Sequence, residues 1–127
     1  MVGKPTDLIK TAARLPIDLT NEVESVRANS WRAVSIQIPY SGSLTISAHV
    51  QRGNPMMMYL TDIDGLEKLK AGNQNTYLNN FYAPQASTFQ HTGRVNQGAY
   101  YLVLRDKSLG ILSSSSSDVT VKVHIEP

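Results

Sequence analysis

The stretch Gly98-Ala99-Tyr100-Tyr101-Leu102-Val103-Leu104-Arg105-Asp106 sets the tightest limit on how this chain folds. It is apolar on both alternating faces and rich in aromatic and branched side chains. Asn96-Gln97-Gly98 supplies a turn signal before it, and Asp106-Lys107 leads out. A helix usually runs longer. A run this short and this rich in ring and branched residues predicts a central strand with both faces covered.

The rest of the chain supplies partners for such a strand. Leu15, Ile17 and Leu19 alternate after Pro16, which cannot donate to a ladder, so this strand should start at a sheet edge. The phase slips toward Val23 and Val26, which predicts a bulge or turn near Asn21-Glu22. Val34, Ile36 and Ile38 alternate with polar residues, and so do Leu44, Ile46, Ala48 and Val50. With Pro39-Tyr40-Ser41-Gly42-Ser43 between them, these two runs read as an antiparallel hairpin. Met56-Met57-Met58-Tyr59-Leu60 is apolar throughout and reads as a second buried strand. Leu66 to Ala71 reads as a short helix closed by Gly72, with Leu66 and Leu69 on one face. Thr76–Tyr82 and Ala86–Thr92 read as strands, the second with Phe89 pointing inward. The serines from Ser113 to Ser117 read as a solvated, mobile connection. Val119, Val121, Val123 and Ile125 then alternate without exception and predict a closing strand near the central one. About seven to nine short strands with regular turn signals make an all-β chain, an antiparallel, jelly-roll-like β-sandwich with one helical segment near 65–71. Residues 1–14 read as either an arm or a short helix, and 15–127 as one sandwich domain.

Composition narrows the function. The 127 residues suit a single domain, and cysteine is absent, so disulfides and cysteine-based zinc sites are excluded. The formal charge is only +2, and no run of four basic residues occurs. This argues against a nucleic-acid partner or an anionic membrane surface. No apolar run approaches the roughly 18 residues of a membrane span, so no membrane insertion is expected. Met1-Val2-Gly3-Lys4-Pro5 is not followed by an apolar signal-peptide core.

Catalytic chemistry has no anchor in the sequence. There is no GxSxG elbow, HExxH or Gly-rich phosphate loop, and no pair of carboxylates stands out. His49 and His124 fall on polar strand faces, and His91 lies next to a turn. A non-enzyme without a cofactor is therefore expected. Asp62-Ile63-Asp64-Gly65 places two carboxylates before a glycine, so Asp62 and Asp64 are candidate calcium ligands. The same residues also read as the N-cap of the following helix. Tyr77-Leu78-Asn79-Asn80-Phe81-Tyr82 mixes rings with amides. Tyr77, Phe81 and Tyr82 are candidate ligand-binding residues, because exposed rings stack on sugar faces while amides bind hydroxyls. They read equally as core edge or as an oligomer contact. Exposed sheet edges also make a homodimer an open expectation.

Several segments resemble the bacterial pre-peptidase C-terminal domains and the related GOLD-like β-sandwiches. They are Ser35-Ile36-Gln37-Ile38 with Gly42 to Ser47, Met58 to Asp62, Gln97 to Leu104 with its Gly-x-Tyr-Tyr strand, and Val119 to Val123. The similarity spans roughly residues 31–125. It implies a secreted, extracellular or periplasmic accessory or adhesion module, non-catalytic, with a protein, cell-surface or glycan partner. The short helix, the serine tract and the lack of an attached peptidase depart from that pattern.

Overall fold

The computed structural model describes residues 15–72, 77–78, 81–107 and 116–127. These residues form β1 (Ile17–Arg27), β2 (Trp31–Ile38), β3 (Gly42–Arg52) and β4 (Met56–Thr61), then the helix α1 (Ile63–Lys70). After it come β5 (Tyr82–Ala86), β6 (Thr88–Val95), β7 (Gly98–Arg105) and β8 (Ser116–Glu126). A first sheet has the order β1-β8-β3-β6 and a second the order β2-β7-β4-β5. Every pairing is antiparallel. Apart from β4 and β5, successive strands cross from one sheet to the other, which wraps the chain into an antiparallel all-β sandwich, as expected.

The period-two patterns turn one face of each sheet inward. Leu44, Ile46, Val119, Val121, Val123 and Ile125 of the first sheet meet Val34, Ile36, Met56, Met58, Leu60, Leu102 and Leu104 of the second in one buried cluster. Each such side chain contributes about 1.5–3 kcal/mol when fully withdrawn from water. β7 sits between β2 and β4, with Leu102, Val103 and Leu104 all at 0% exposure, so its two faces are covered as the sequence requires. Tyr59 and Val103 leave the second sheet on its outer side, where Leu66 and Leu69 of α1 pack over them. The helix begins because Asp62 stays extended and its Oδ1 accepts from the Gly65 N–H at 2.9 Å. Lys68 and Lys70 in its last turn suit the negative end of its dipole.

The connection after β2 differs from the expected hairpin. β2 pairs with β7, whereas β3 pairs with β6 and β8, so Pro39-Tyr40-Ser41 is an arch between sheets. Alternation states which face of a strand is buried but not which strand lies beside it. Two inward-facing patterns are satisfied equally by neighbours in one sheet and by opposed strands in two. Tyr40 closes this end of the sandwich, its hydroxyl 2.8 Å from Leu15 O and 3.2 Å from Ile125 O. Gly42 is required here, because a Cβ would run into the backbone oxygen of Glu126.

β8 likewise lies in the sheet opposite β7 and not beside it, between β1 and β3. The bulge in β1 falls between Asp18 and Thr20, earlier than Asn21-Glu22, which keeps Ile17 and Leu19 packed against the core. β1 is an edge strand, as Pro16 implied. The strand expected over Thr76–Tyr82 starts only at Tyr82, since the hydrogen bonds Leu78 N–H to Leu60 O and Phe81 N–H to Leu78 O make a turn there. Residues 76, 79 and 80 of that reading lie outside the described residues, as do the N-terminal arm or helix and Ser113–Ser115. The last two serines of the tract are not a loop. Ser116 and Ser117 open β8, and the buried Ser117 hydroxyl accepts from the Asn54 N–H at 2.9 Å.

Candidate binding surface

The two outer faces of the sandwich differ. The second sheet is roofed by α1 and by a satellite cluster of Met57, Tyr59, Leu66, Leu69 and Val103, with Trp31, Tyr82 and Tyr101 at its rim. No described residue packs as a layer over the first sheet. Its outward positions are hydroxyls, amides and a few charges, set in straight rows by the strand registers.

One row reads Asp18, His124, Thr45, Thr92, the next Asn21, Lys122, Ser47, Gln90, and the third Val23, Thr120, His49, Thr88. The rows at the two ends are matched internally. At one end His124 Nδ1 lies 2.7 Å from Asp18 Oδ1 and its Nε2 lies 3.2 Å from Glu126 Oε1. Hydrogen bonds to Asp18 first, then to Glu126, hold the imidazole above its ordinary 6.5. At the other end Arg52 meets Asp118 at 2.8 Å. The middle rows carry no acid, and exposed Lys122 has no ion-pair partner among the described residues. A groove of about 290 Å³ runs across them, walled by Ser47, His49, Thr88, Gln90, Thr120 and Lys122. His49 Nδ1 lies 3.2 Å from Thr88 Oγ1, while the Thr120 hydroxyl is shielded from solvent and has no hydrogen-bond partner.

The ring residues picked out in the sequence separate. Tyr77 and Tyr82 stack, with centroids 4.4 Å apart and planes 13° from parallel. Tyr77 is 46% exposed and keeps one face open, whereas Tyr82 is held between it and the satellite cluster. Phe81 is 1% exposed and belongs to the main core, so it has no face to offer a ligand, contrary to the grouping of all three rings. It points inward because β5 begins beyond it and the turn from Leu78 folds it under the sheet edge. His91 sits within β6 and not beside a turn, against Phe89 at 4.5 Å and Phe81 at 6.2 Å. Asp62 is engaged as the helix cap, and Asp64 lies exposed in the first turn. Among the described residues no group of three or more His, Asp or Glu side chains is placed to hold a metal ion. The sequence analysis missed Ser47, Gln90, Thr120 and Lys122 as a set. The polar phases of β3, β6 and β8 held the signal, but only the pairing registers bring them together.

No protein-family model matches the chain, and no curated protein matches it in sequence. Solved structures do. The pre-peptidase C-terminal domain of collagenase from Bacillus anthracis superposes with a TM-score of 0.57 at 13% identity, over 83% of this chain and 88% of that one. The Yersinia pseudotuberculosis-derived mitogen superposes with a TM-score of 0.53 at 10% identity, over 88% of each chain. A carbohydrate-binding module from Cellvibrio mixtus lichenase 5A, in complex with cellotriose, aligns only loosely, at a TM-score of 0.38 and 13% identity over 87% of this chain and 90% of that one. The resemblance carried by the Gly-x-Tyr-Tyr strand and its neighbours is therefore a likeness of fold: the chain is an antiparallel β-sandwich similar in fold to that collagenase domain and to that mitogen.

Proposed function

We propose that this protein is a non-catalytic binding module that engages a cell-surface partner through the outer face of the first sheet. The observation that carries this reading is the asymmetry between the faces. One is covered over much of its width by a helix and aromatic side chains, whereas over the other no described residue packs and a groove crosses its rows of polar side chains. A flat field of hydroxyls, amides and imidazole binds by hydrogen bonds from side chains that the strand ladder already holds in place, which lowers the ordering cost of association. An extracellular or periplasmic setting fits such a module.

The test is an array of cell-surface glycans and extracellular proteins, probed with the wild type, Ser47→Tyr, which fills the groove, and Tyr77→Ala on the opposite face. Binding lost in Ser47→Tyr and kept in Tyr77→Ala supports the reading. Binding insensitive to Ser47→Tyr sinks it. One observation favours a second reading, a carbohydrate site at Tyr77: its open ring face, backed by Tyr82, is the platform a sugar ring stacks on. That reading predicts the reverse pattern, with Tyr77→Ala losing the signal.

A further inference from the structure

The geometry points to a sugar acid, a single pyranose ring carrying one carboxylate, as the ligand of the Lys122 groove on the first sheet. This rests on the proposal that the bare face is the binding surface, and it names the chemistry of what binds there.

Three features converge. The first is size. About 290 Å³ stands at the lower limit of small-molecule sites, roughly 300–1,000 Å³, and admits one ring, not a peptide segment. The second is charge. Of the acids on the flanking rows, Asp18 and Glu126 share His124 and Asp118 meets Arg52; among the described residues none pairs with Lys122, which stands as one cation in the two middle rows that carry no acid. One cation matches one carboxylate. A polyanion such as nucleic acid would need a run of cations that these rows lack. The third is the lining. Ser47, Gln90, Thr88 and His49 offer donors and acceptors to a ligand rich in hydroxyls, among carbon surface from Ala48, Phe89 and side-chain stems that suits the CH faces of a pyranose ring. No tyrosine or tryptophan lines this groove and Phe89 is buried in the core, so recognition rests on hydrogen bonds and charge more than on ring stacking, unlike the platform at Tyr77.

The experiment uses a matched pair, methyl glucuronide and methyl glucoside, which differ only in carboxylate against hydroxymethyl. Each is titrated into the isotopically labelled full chain and followed through backbone amide shifts. The glucuronide should move amides near residues 47–49, 88–90 and 120–122 and bind about tenfold more tightly than the glucoside, the scale of one charge-assisted hydrogen bond. Lys122→Met should remove that preference, and Lys122→Arg should keep it. Lys122 is exposed, so these variants keep the fold. Equal binding of the two glycosides, shifts confined to the Tyr77 face, no shifts at all, or a preference unchanged in Lys122→Met each overturns the inference. A Ser47→Tyr-sensitive array signal alongside any of these results leaves the bare face as the binding surface while removing the sugar acid as its ligand.

Discussion

Thr45 and Thr92 stand directly opposite each other on β3 and β6, their hydroxyls 2.9 Å apart. Replacing both with cysteine tests the arch between the sheets, on which the bare face depends. The chain has no cysteine of its own, so only one disulfide can form. Opposed Cβ atoms in an antiparallel pair lie about 4.5–5.5 Å apart, and a disulfide needs roughly 3.5–4.5 Å, so a small closure of the strands suffices. Closing a loop of about 47 residues removes chain entropy worth about 4 kcal/mol from the unfolded state. The lost hydroxyl pair costs about 1 kcal/mol of that gain. The net, about 3 kcal/mol, raises the melting temperature on the order of 10 °C for a chain of this size. Thermal unfolding with and without reductant, beside thiol counting on the folded protein, reads both quantities. The control is Gln37→Cys with Thr45→Cys. A hairpin would set these residues opposite each other, but β2 and β3 lie in different sheets and direct them out of opposite faces. Oxidation of the control pair, or free thiols at 45 and 92 under oxidising conditions, would refute the topology.

The same structure predicts four further outcomes. Phe81→Ala should cost about 3–5 kcal/mol in denaturant unfolding, as for a buried ring, whereas Tyr77→Ala should cost only the stacking contact, about 0.5–1.5 kcal/mol. Gly53 has φ +117°, and a Cβ there would strike Ser117, so Gly53→Ala should destabilise by about 1–3 kcal/mol or more. His124 has a folded-state pKa raised above 6.5, so its contribution is fully present below that value and is lost as pH rises through the folded value. The denaturation midpoint should therefore fall across that window in the wild type, and His124→Gln should flatten this part of the profile. Calcium at millimolar concentration should leave the melting temperature unchanged, because Asp62 Oδ1 is held by the Gly65 amide; a rise of several degrees would restore Asp62 and Asp64 as ligands.

The elements were legible in the sequence wherever a local rule was sufficient. Strict alternation marked β2, β3 and β8, the all-apolar run marked β4, and the spacing of Leu66 and Leu69 before Gly72 marked α1. Pairing was not legible. The rule that placed Val34 and Leu44 inward is silent on whether they share a sheet, and the Gly42 that suggested a hairpin turn serves instead for close approach to Glu126. The serine tract misled for a related reason. Low complexity argues against packing, yet Ser117 is small enough to be buried against the turn at Gly53 and polar enough to accept from Asn54. The binding surface was the least legible part. Ser47, Gln90, Thr120 and Lys122 are ordinary solvent-side residues in their own strands, and they form a groove only once β8, β3 and β6 lie side by side. The rings, which attracted notice as a sequence cluster, divide between the core and a lone platform.

The central claim is that the bare face of the β1-β8-β3-β6 sheet is where a partner binds. Array binding by the wild type, Ser47→Tyr and Tyr77→Ala, each first shown to melt at a comparable temperature, tests it most directly. The account predicts that Ser47→Tyr loses binding and that Tyr77→Ala keeps it. Full binding by Ser47→Tyr would contradict it.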